Sequence, residues 1–200
     1  MDEAAVIAAA QQGDVGAYNE LVIAYQQLAF NVAYRVLGDE ERAMDATQDA
    51  FLRGYRAIDS FNGGSFKAWI LRITTNACYD MLRASKRRRT TSIDDLVEDD
   101  EHSGLLQDDQ ETPEEYVQRR DLNEVIQAAL AALPEDQRTV VILSDIQGLN
   151  YAEIAEATMV SLGTVKSRLS RARAKMREYL LAHRELLPGG ARLYAESIES

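Results

Sequence analysis

The chain has 200 residues, of which 46% are hydrophobic, and a formal net charge of −11. This composition is ordinary for a globular protein. No apolar run approaches the ~20 residues that span a bilayer, so we exclude membrane insertion. The N-terminus begins with acidic residues and has no basic flank before an apolar segment, so we expect no secretory signal and a cytoplasmic protein.

The cysteine and histidine content limits the chemistry that the chain can perform. The single cysteine, Cys78, forms no internal disulfide, and its apolar helical surroundings favour a buried structural thiol. His102 and His183 stand far apart, without neighbours at metal-ligand spacing. We find no nucleophile–base set and no phosphate-binding glycine loop. The sequence therefore predicts no enzyme, no metal site and no cofactor.

Three helices are predicted in the N-terminal half, because apolar residues recur there at steps of three and four. The first is marked by Tyr18 to Val36 and stops at Gly38, the second covers 40–58, and the third runs from Ser65 to about residue 88. The second carries a polar strip with one leucine, opposite its alanines. The strip consists of Asp45, Gln48, Asp49 and Leu52. Such a face is either solvated or a docking surface for a partner protein.

The third predicted helix carries a second stripe besides its apolar one. Its members are Trp69, Arg72, Asn76, Tyr79 and Arg83. Side chains of these types stack on bases, bind base edges and hold phosphates. The alternative is that the aromatic residues belong to the rim of the core and the arginines are solvated. The glycine-rich loop before this helix contains Phe61 and suits either a pocket for an extruded base or a simple turn.

Charge is segregated along the chain. Between Asp94 and Glu115 there are eleven acids and no Lys or Arg, whereas 65–89 contains seven basic residues and one acid. The acidic stretch has no helical periodicity, so we expect a flexible linker over 90–115. It separates a domain of residues 1–89 from one of residues 116–183, followed by a tail of residues 184–200, and we expect the two small domains to move independently.

The C-terminal half is also predicted to be helical. One helix is marked by Leu122 to Leu133 and ends at Pro134. Another runs from Thr139 to Ile146 and ends at Gly148. No alternating pattern suggests a strand, so the predicted class is all-α.

The most informative segment is 151–179, in which two helical patterns are separated by about four residues. The second pattern has an apolar stripe: Val165, Leu169, Ala172, Met176 and Leu180. Basic residues surround that stripe: Lys166, Arg168, Arg171, Arg173, Lys175 and Arg177. This arrangement is typical of a helix-turn-helix whose second helix enters the DNA major groove. The alternative is a solvated basic helix.

Three sequence blocks resemble the extracytoplasmic-function (group IV) sigma factors of bacterial RNA polymerase. The block AMDATQDAFLRGYRAIDSF resembles region 2.2 of that family. The block FKAWILRITTNACYDMLRASKRR resembles regions 2.3 and 2.4. The block LPEDQRTVVILSDIQGLNYAEIA, followed by GTVKSRLSRARAKMR, resembles region 4. The resemblance extends over about 13–181. It implies two all-helical domains and a linker that passes through the RNA exit channel of the polymerase.

The resemblance implies roles and partners for the candidate residues. Residues that would bind the β′ clamp helices are Asp45, Gln48, Asp49 and Leu52. Residues that would melt the −10 element and capture a flipped base are Phe61, Trp69, Arg72, Asn76, Tyr79 and Arg83. Residues at base edges of the −35 element would be Lys166, Ser167, Ser170 and Arg171, with Tyr151, Thr164, Arg168 and Arg173 on phosphates. The implied partners are core RNA polymerase (β′ clamp helices and β flap), promoter DNA and an anti-sigma factor.

Two points remain open in the sequence. Many family members have a leucine-glycine pair where this chain has Thr158 and Met159. Glycine often supplies a positive φ in such a turn, so the sequence leaves the backbone geometry of this turn undecided.

The alternative function is a stand-alone helix-turn-helix regulator. It leaves the 69–83 stripe and the 45–52 strip without a role, and it would normally need a symmetric dimer.

Overall fold

A computed structural model describes residues 2–91 and 112–186 of the chain. These ranges form eight α-helices: α1 Glu3–Gln11, α2 Val15–Leu37, α3 Glu40–Ala57, α4 Phe66–Thr91, α5 Pro113–Ala131, α6 Glu135–Val141, α7 Tyr151–Thr158 and α8 Leu162–Ala182. Short 3-10 turns follow α3 and α8, and a π-helical segment, Ile142–Ile146, continues α6. The described ranges contain no strand, which confirms the all-α prediction.

Side-chain caps fix where the helices begin. Asp14 caps α2, Asp39 caps α3 and Ser161 caps α8, each accepting a hydrogen bond from a backbone N–H of the first turn. Asn150 and Glu153 form a reciprocal capping box at the start of α7. The predicted helix-turn-helix therefore has both of its helices started by local sequence.

The turn between α7 and α8 keeps the left-handed backbone that glycine usually supplies. Met159 adopts φ 54° and ψ 41° at the C-terminus of α7. Among the described residues other than glycine, it alone has a positive φ. The replacement of glycine by Met159 thus leaves the turn geometry intact at the expense of backbone strain.

The N-terminal half has an aromatic core of its own. Phe61, Phe66 and Trp69 pack against one another with ring centroids 5.4–5.7 Å apart. Tyr18 of α2 reaches α3, where its hydroxyl donates to the carbonyl of Phe51 at 2.7 Å. This core holds helices α1 to α4 together and fixes the loop that precedes α4.

A second hydrophobic cluster joins the two halves of the chain. It includes Val36 and Leu71 from the N-terminal half, and Leu143, Ile154 and Leu169 from the C-terminal half. The most extensive contact between the halves is that of α4 with α7. The buried apolar surface is therefore continuous across the two halves in this structure, and the independent movement of the two domains stays a prediction.

Polar contacts between the halves satisfy the C-terminus of α2. The Tyr34 carbonyl accepts a bond from the N–H of the capping residue Gly38 at 2.8 Å, and the following carbonyl groups have no partner within the helix. Gln127 of α5 donates to the carbonyls of Tyr34 and Arg35 at 3.3 and 3.4 Å, and Arg138 of α6 donates to that of Val36 at 2.7 Å. The C-terminal half thus caps a helix of the N-terminal half.

The predicted linker and tail fall largely outside the described residues. Of the range 90–115, the described ends belong to α4 and α5. Of the tail, only 184–186 is described, and it forms a 3-10 turn.

Candidate nucleic-acid and partner interfaces

Helix α8 presents a polar face opposite its buried stripe. Val165, Leu169 and Ala172 are buried, and the face opposite them contains Ser167, Ser170 and Arg171, all exposed. Lys166, beside this face, is exposed as well. The four residues predicted at base edges are therefore together and accessible on one helix, in the position that a recognition helix requires.

Hydrogen bonds within α8 hold part of this face in place. Arg171 donates from Nε to the carbonyl of Ser167 at 3.1 Å and from Nη2 to its hydroxyl at 3.3 Å. The hydroxyl of Ser167 in turn donates to the carbonyl of Thr164 at 3.0 Å. The guanidinium of Arg171 thus lies along the helix and retains Nη1 for another acceptor.

Two arginines on the flanks of α8 are held by acids of the preceding segment. Arg168 pairs with Asp136 of α6 at 2.9 Å. Arg173 makes two parallel bonds to Asp145 of the π-helical segment, at 2.9 and 2.6 Å. The bonds from Arg173 lower the pKa of Asp145, and those from Asp145 raise the pKa of Arg173. Both residues were predicted on phosphates, and both are charged and partly accessible at the edge of the face.

The remaining predicted phosphate contacts lie at the start of the two helices. Tyr151 is exposed at the first position of α7. Thr164 lies in the first turn of α8, and its hydroxyl is 2.9 Å from that of the capping residue Ser161. The first turn of a helix lies at the positive end of the helix dipole, which suits a phosphate role.

The predicted stripe on α4 is divided in the structure. Trp69 is 6% exposed and belongs to the aromatic core, as the rim-core alternative anticipated, and Phe61 of the preceding loop, 8% exposed, packs in the same core. Asn76 and Arg83 are exposed, Arg72 is half-buried, and Arg83 pairs with Asp80 at 3.4 Å. The polar members are therefore available to a ligand, whereas the two aromatic rings contact one another.

Tyr79 is the stripe member that contacts the other half of the chain. Its hydroxyl lies 2.5 Å from that of Thr139 and donates to the carbonyl of Glu135 at 3.2 Å. Burial raises the pKa of Tyr79. In this arrangement the C-terminal half covers part of the stripe.

The polar strip of α3 borders a groove between α2 and α3. The groove has a volume of about 660 Å³ and is lined by Asp45, Gln48 and Leu52, together with apolar side chains of α2. Leu52 is 52% exposed, and Met44, also in the lining, is 53% exposed. Exposed apolar side chains beside acids are typical of a docking surface.

Asp49 lies beside the groove in an ion-pair network. Arg53 pairs with Asp49 and with Asp80 of α4, both at 2.7 Å, and these bonds raise the pKa of Arg53. The network links the strip of α3 to the stripe of α4. The spacing of four residues between Asp49 and Arg53 suggests their ion pair, but the sequence does not predict that Asp80 of α4 joins it.

The acids that hold α8 were missed by sequence reasoning. Asp136 and Asp145 precede the helix-turn-helix, and although they lie in the block that resembles region 4, no role was predicted for them. Only the fold brings them to the flanks of a helix about 30 residues further on. Arg138, which bonds four carbonyl groups, was missed for the same reason.

The described ranges offer no grouping of His, Cys, Asp and Glu that would hold a metal ion. Within the same ranges, none of the helices combines the length and apolar character needed to cross a bilayer. Cys78 is buried, and its burial raises its pKa to about 12.

Two protein families match the two halves of the chain. Residues 21–88 match sigma-70 region 2, and residues 123–176 match sigma-70 region 4. The first match contains the strip of α3 and the stripe of α4, and the second contains α6, α7 and most of α8.

Known proteins are similar over most of the chain. The ECF RNA polymerase sigma factor SigE of Mycolicibacterium smegmatis is 36% identical over 176 residues, which are 88% of this chain and 66% of that protein. The ECF RNA polymerase sigma-E factor of Escherichia coli is 36% identical over 166 residues, or 82% of this chain and 86% of that protein. The solved structure of the sigma factor RpoE from Bartonella quintana, in complex with the anti-sigma factor NepR, superposes with a TM-score of 0.69. It is 25% identical, and the match covers 84% of this chain and 99% of that one.

Proposed function

The chain belongs to the extracytoplasmic-function family of RNA polymerase sigma factors, the promoter-specificity subunits of the bacterial enzyme, and from that premise we propose how its surfaces divide the work. The C-terminal helix-turn-helix binds the −35 element, α4 and its preceding loop open the −10 element, and α3 docks on the core enzyme. The role is one of binding and positioning, not of covalent catalysis. The observation that carries this proposal is that three separate surfaces, each of the required chemistry, occur on one chain.

The −35 element is contacted by the exposed face of α8. Lys166, Ser167, Ser170 and Arg171 lie at base edges, and Arg171 has Nη1 free of the helix for a guanine. Tyr151 and Thr164, at the helix starts, hold phosphates, and so do the flanking Arg168 and Arg173. Phosphate contacts fix the register of α8 on the duplex, and base contacts supply the sequence preference.

The −10 element is opened by α4 and the loop that contains Phe61. Asn76 and Arg83 are accessible for contacts to the separated strand, together with Arg72. Phe61 and Trp69 are buried among aromatic side chains, so capture of an extruded base in this pocket requires the loop to move aside. Stacking of a base on an aromatic ring is worth about 1–3 kcal/mol, which compensates part of the loss of the aromatic contacts.

Core RNA polymerase docks on the groove between α2 and α3. The acids Asp45 and Asp49, with Gln48, form the polar rim, and Leu52 supplies the apolar centre of the contact. We propose the β′ clamp helices as the occupant, with the β flap contacting the C-terminal domain. The alternative of a stand-alone regulator leaves this groove and the α4 stripe without a ligand.

Promoter binding requires the two halves to separate. The −10 and −35 elements are about 25 base pairs apart, which is about 85 Å of duplex at ~3.4 Å per base pair. Helix α4 contacts α7 in this structure, so one compact body does not span both elements. The 90–115 segment is the proposed flexible linker between a domain of residues 1–89 and one of residues 116–183. The compact arrangement resembles the sigma factor RpoE bound to NepR, and we propose that an anti-sigma factor also binds this chain.

The experiment that tests the proposed function is transcription in vitro with sigma-free core polymerase and a pool of promoter fragments from the source genome. Transcripts with defined starts that share −35 and −10 sequences, seen only when the chain is added, support the proposal. Sequence-specific duplex binding without any transcript would favour the stand-alone regulator. Since transcription takes place in the cytoplasm, we propose that location for the chain.

One substitution tests the assignment of base contacts. We expect Arg171→Ala to weaken binding by about 1–3 kcal/mol and to relax the preference at one −35 position. Lys175→Ala, in the next turn of α8 and outside the proposed base contacts, is the matched control. Equal losses on all sequences would assign Arg171 to a phosphate instead.

A further inference from the structure

The contact between Arg173 and Asp145 joins the recognition helix to the segment before the helix-turn-helix. Nε of Arg173 lies 2.9 Å from Oδ2 of Asp145, and Nη2 lies 2.6 Å from Oδ1. Nη2 also donates to the hydroxyl of Ser144 at 3.3 Å. A bidentate pair of this kind fixes the plane of the guanidinium as well as its position.

The pair lies at one flank of α8, and a second pair lies at the other. Arg173 lies on one side of the buried stripe. Arg168 lies on the other side and bonds Asp136 at 2.9 Å. The buried side chains hold α8 on its support, and contacts at its flanks further oppose rotation of the helix about its axis. Two ion pairs to α6 and the π-helical segment provide those contacts.

Rotation of α8 decides where its exposed face points. Ser167, Ser170 and Arg171 share that face, and side chains that bind a ligand need positions fixed to about 0.5 Å and 10–20°. Nε and Nη2 of Arg173 bind the acid, and the guanidinium also interacts with the side chain of Tyr151. The carboxylate therefore fixes the orientation of this arginine beside the start of α7.

We propose that Asp145 is a specificity-determining positioning residue for −35 recognition, acting through Arg173. The inference rests on the proposed function, because it assumes that α8 contacts the −35 duplex. It concerns a residue that touches no base and that lies outside the helix-turn-helix.

The sign of the effect separates positioning from plain electrostatics. An acid near DNA repels phosphates, so its removal by itself strengthens binding to any duplex. If Asp145 merely competes with phosphate for Arg173, its removal also strengthens binding. If Asp145 positions Arg173 and α8, its removal weakens binding to the −35 duplex while binding to unrelated DNA is unchanged or stronger.

The test uses the chain bound to core polymerase and two labelled duplexes, one with the −35 sequence found by transcript mapping and one with that sequence scrambled. We expect Asp145→Asn to weaken binding to the −35 duplex about tenfold relative to the scrambled duplex. The control is Glu156→Gln, which removes an exposed acid from α7 and leaves the pair intact. It should not reduce discrimination between the duplexes.

A second variant keeps the proposal testable if Asp145→Asn folds poorly. Arg173→Lys keeps the positive charge but loses the planar fork that binds both carboxylate oxygens. Positioning predicts the same loss of discrimination as in Asp145→Asn, with a nearly unchanged slope of binding against salt concentration, since the number of cations near DNA is the same. A phosphate role without positioning predicts discrimination close to that of the wild type.

Two results would overturn the inference. One is stronger binding of Asp145→Asn to both duplexes, which would make Asp145 a competitor of phosphate. The other is full discrimination in Arg173→Lys. Failure of the proposed function looks different, because the wild-type complex would then not distinguish the −35 duplex from the scrambled one.

Discussion

Arg138 supports both the end of α5 and the contact between the two halves of the chain. Its guanidinium donates to the carbonyls of Leu130, Ala131 and Leu133 at 2.8, 2.9 and 3.2 Å. A fourth bond, of 2.7 Å, reaches the carbonyl of Val36 at the end of α2. These carbonyls have few other partners, because they lie at the C-termini of helices.

Arg138→Met retains most of the aliphatic stem and removes all four donors. Hydrogen bonds to a charged group contribute about 1.5–3 kcal/mol, and bonds that share one side chain are not additive. Some of the released carbonyls become accessible to water, which limits the loss. We therefore expect the free energy of unfolding to fall by about 2–4 kcal/mol.

The assay is urea denaturation of the full chain, followed by far-ultraviolet circular dichroism. Arg120→Met is the matched control, since Arg120 pairs with Glu124 at 3.3 Å on an exposed helix surface. Such a pair contributes about 0–1 kcal/mol. If Arg138→Met costs no more than Arg120→Met, the four bonds do not stabilise the fold, and the proposed support of the α5 end and of the interface is refuted.

Three other perturbations test local features of the fold. Met159→Gly should raise the free energy of unfolding by about 0.5–1 kcal/mol. The left-handed backbone costs a non-glycine residue about 1–2 kcal/mol, and the extra freedom of glycine in the unfolded chain offsets part of the gain. Thermal unfolding measures the change, and a loss of stability would show that Met159 is not strained. Gly54→Ala should destabilise the chain by about 1–3 kcal/mol, since its Cβ would lie 2.7 Å from the Tyr18 hydroxyl. Adding Tyr18→Phe to Gly54→Ala should remove part of that loss, and strict additivity in the double-mutant cycle would exclude the clash. The pKa of Asp145 is lowered in the folded state, so its ion pair stabilises the protein above the unfolded pKa of about 3.9 and is lost as pH falls through the folded value. The difference in stability between wild type and Asp145→Asn should therefore narrow below about pH 4, and a constant difference would assign the effect to something other than charge.

Much of the fold follows from local sequence. Apolar spacing predicted the helices that became α2, α3, α4, α5 and α8, and Gly38 ends α2 with φ 74°, as such a glycine does. The stretch 139–146 was predicted as one helix, whereas α6 begins earlier, at Glu135, and gives way to the π-helical segment at Ile142. Spacing does not distinguish these forms, because a single extra residue in a helical turn leaves the apolar pattern nearly unchanged.

The candidate site residues also divide into those that helical spacing placed correctly and those whose position depends on neighbouring helices. Ser167, Ser170 and Arg171, which the resemblance places at base edges, share an exposed face, because helical periodicity sets which residues lie opposite the buried stripe. Trp69 fits the spacing of the α4 stripe but packs in the core with Phe61 and Phe66. An aromatic residue at the border of an apolar stripe suits either side, and the neighbouring helices decide which.

The sequence by itself determined the all-α class, the family and a C-terminal helix with a basic face, since each of these depends on residues close together in the chain. Only the tertiary structure decided that the two halves share one buried cluster, that Arg138 and Gln127 cap α2 from the other half, and that Asp136 and Asp145 hold the flanks of α8. The physical reason is that contacts between distant residues depend on how helices pack, and helical periodicity specifies which face is buried but not which partner covers it.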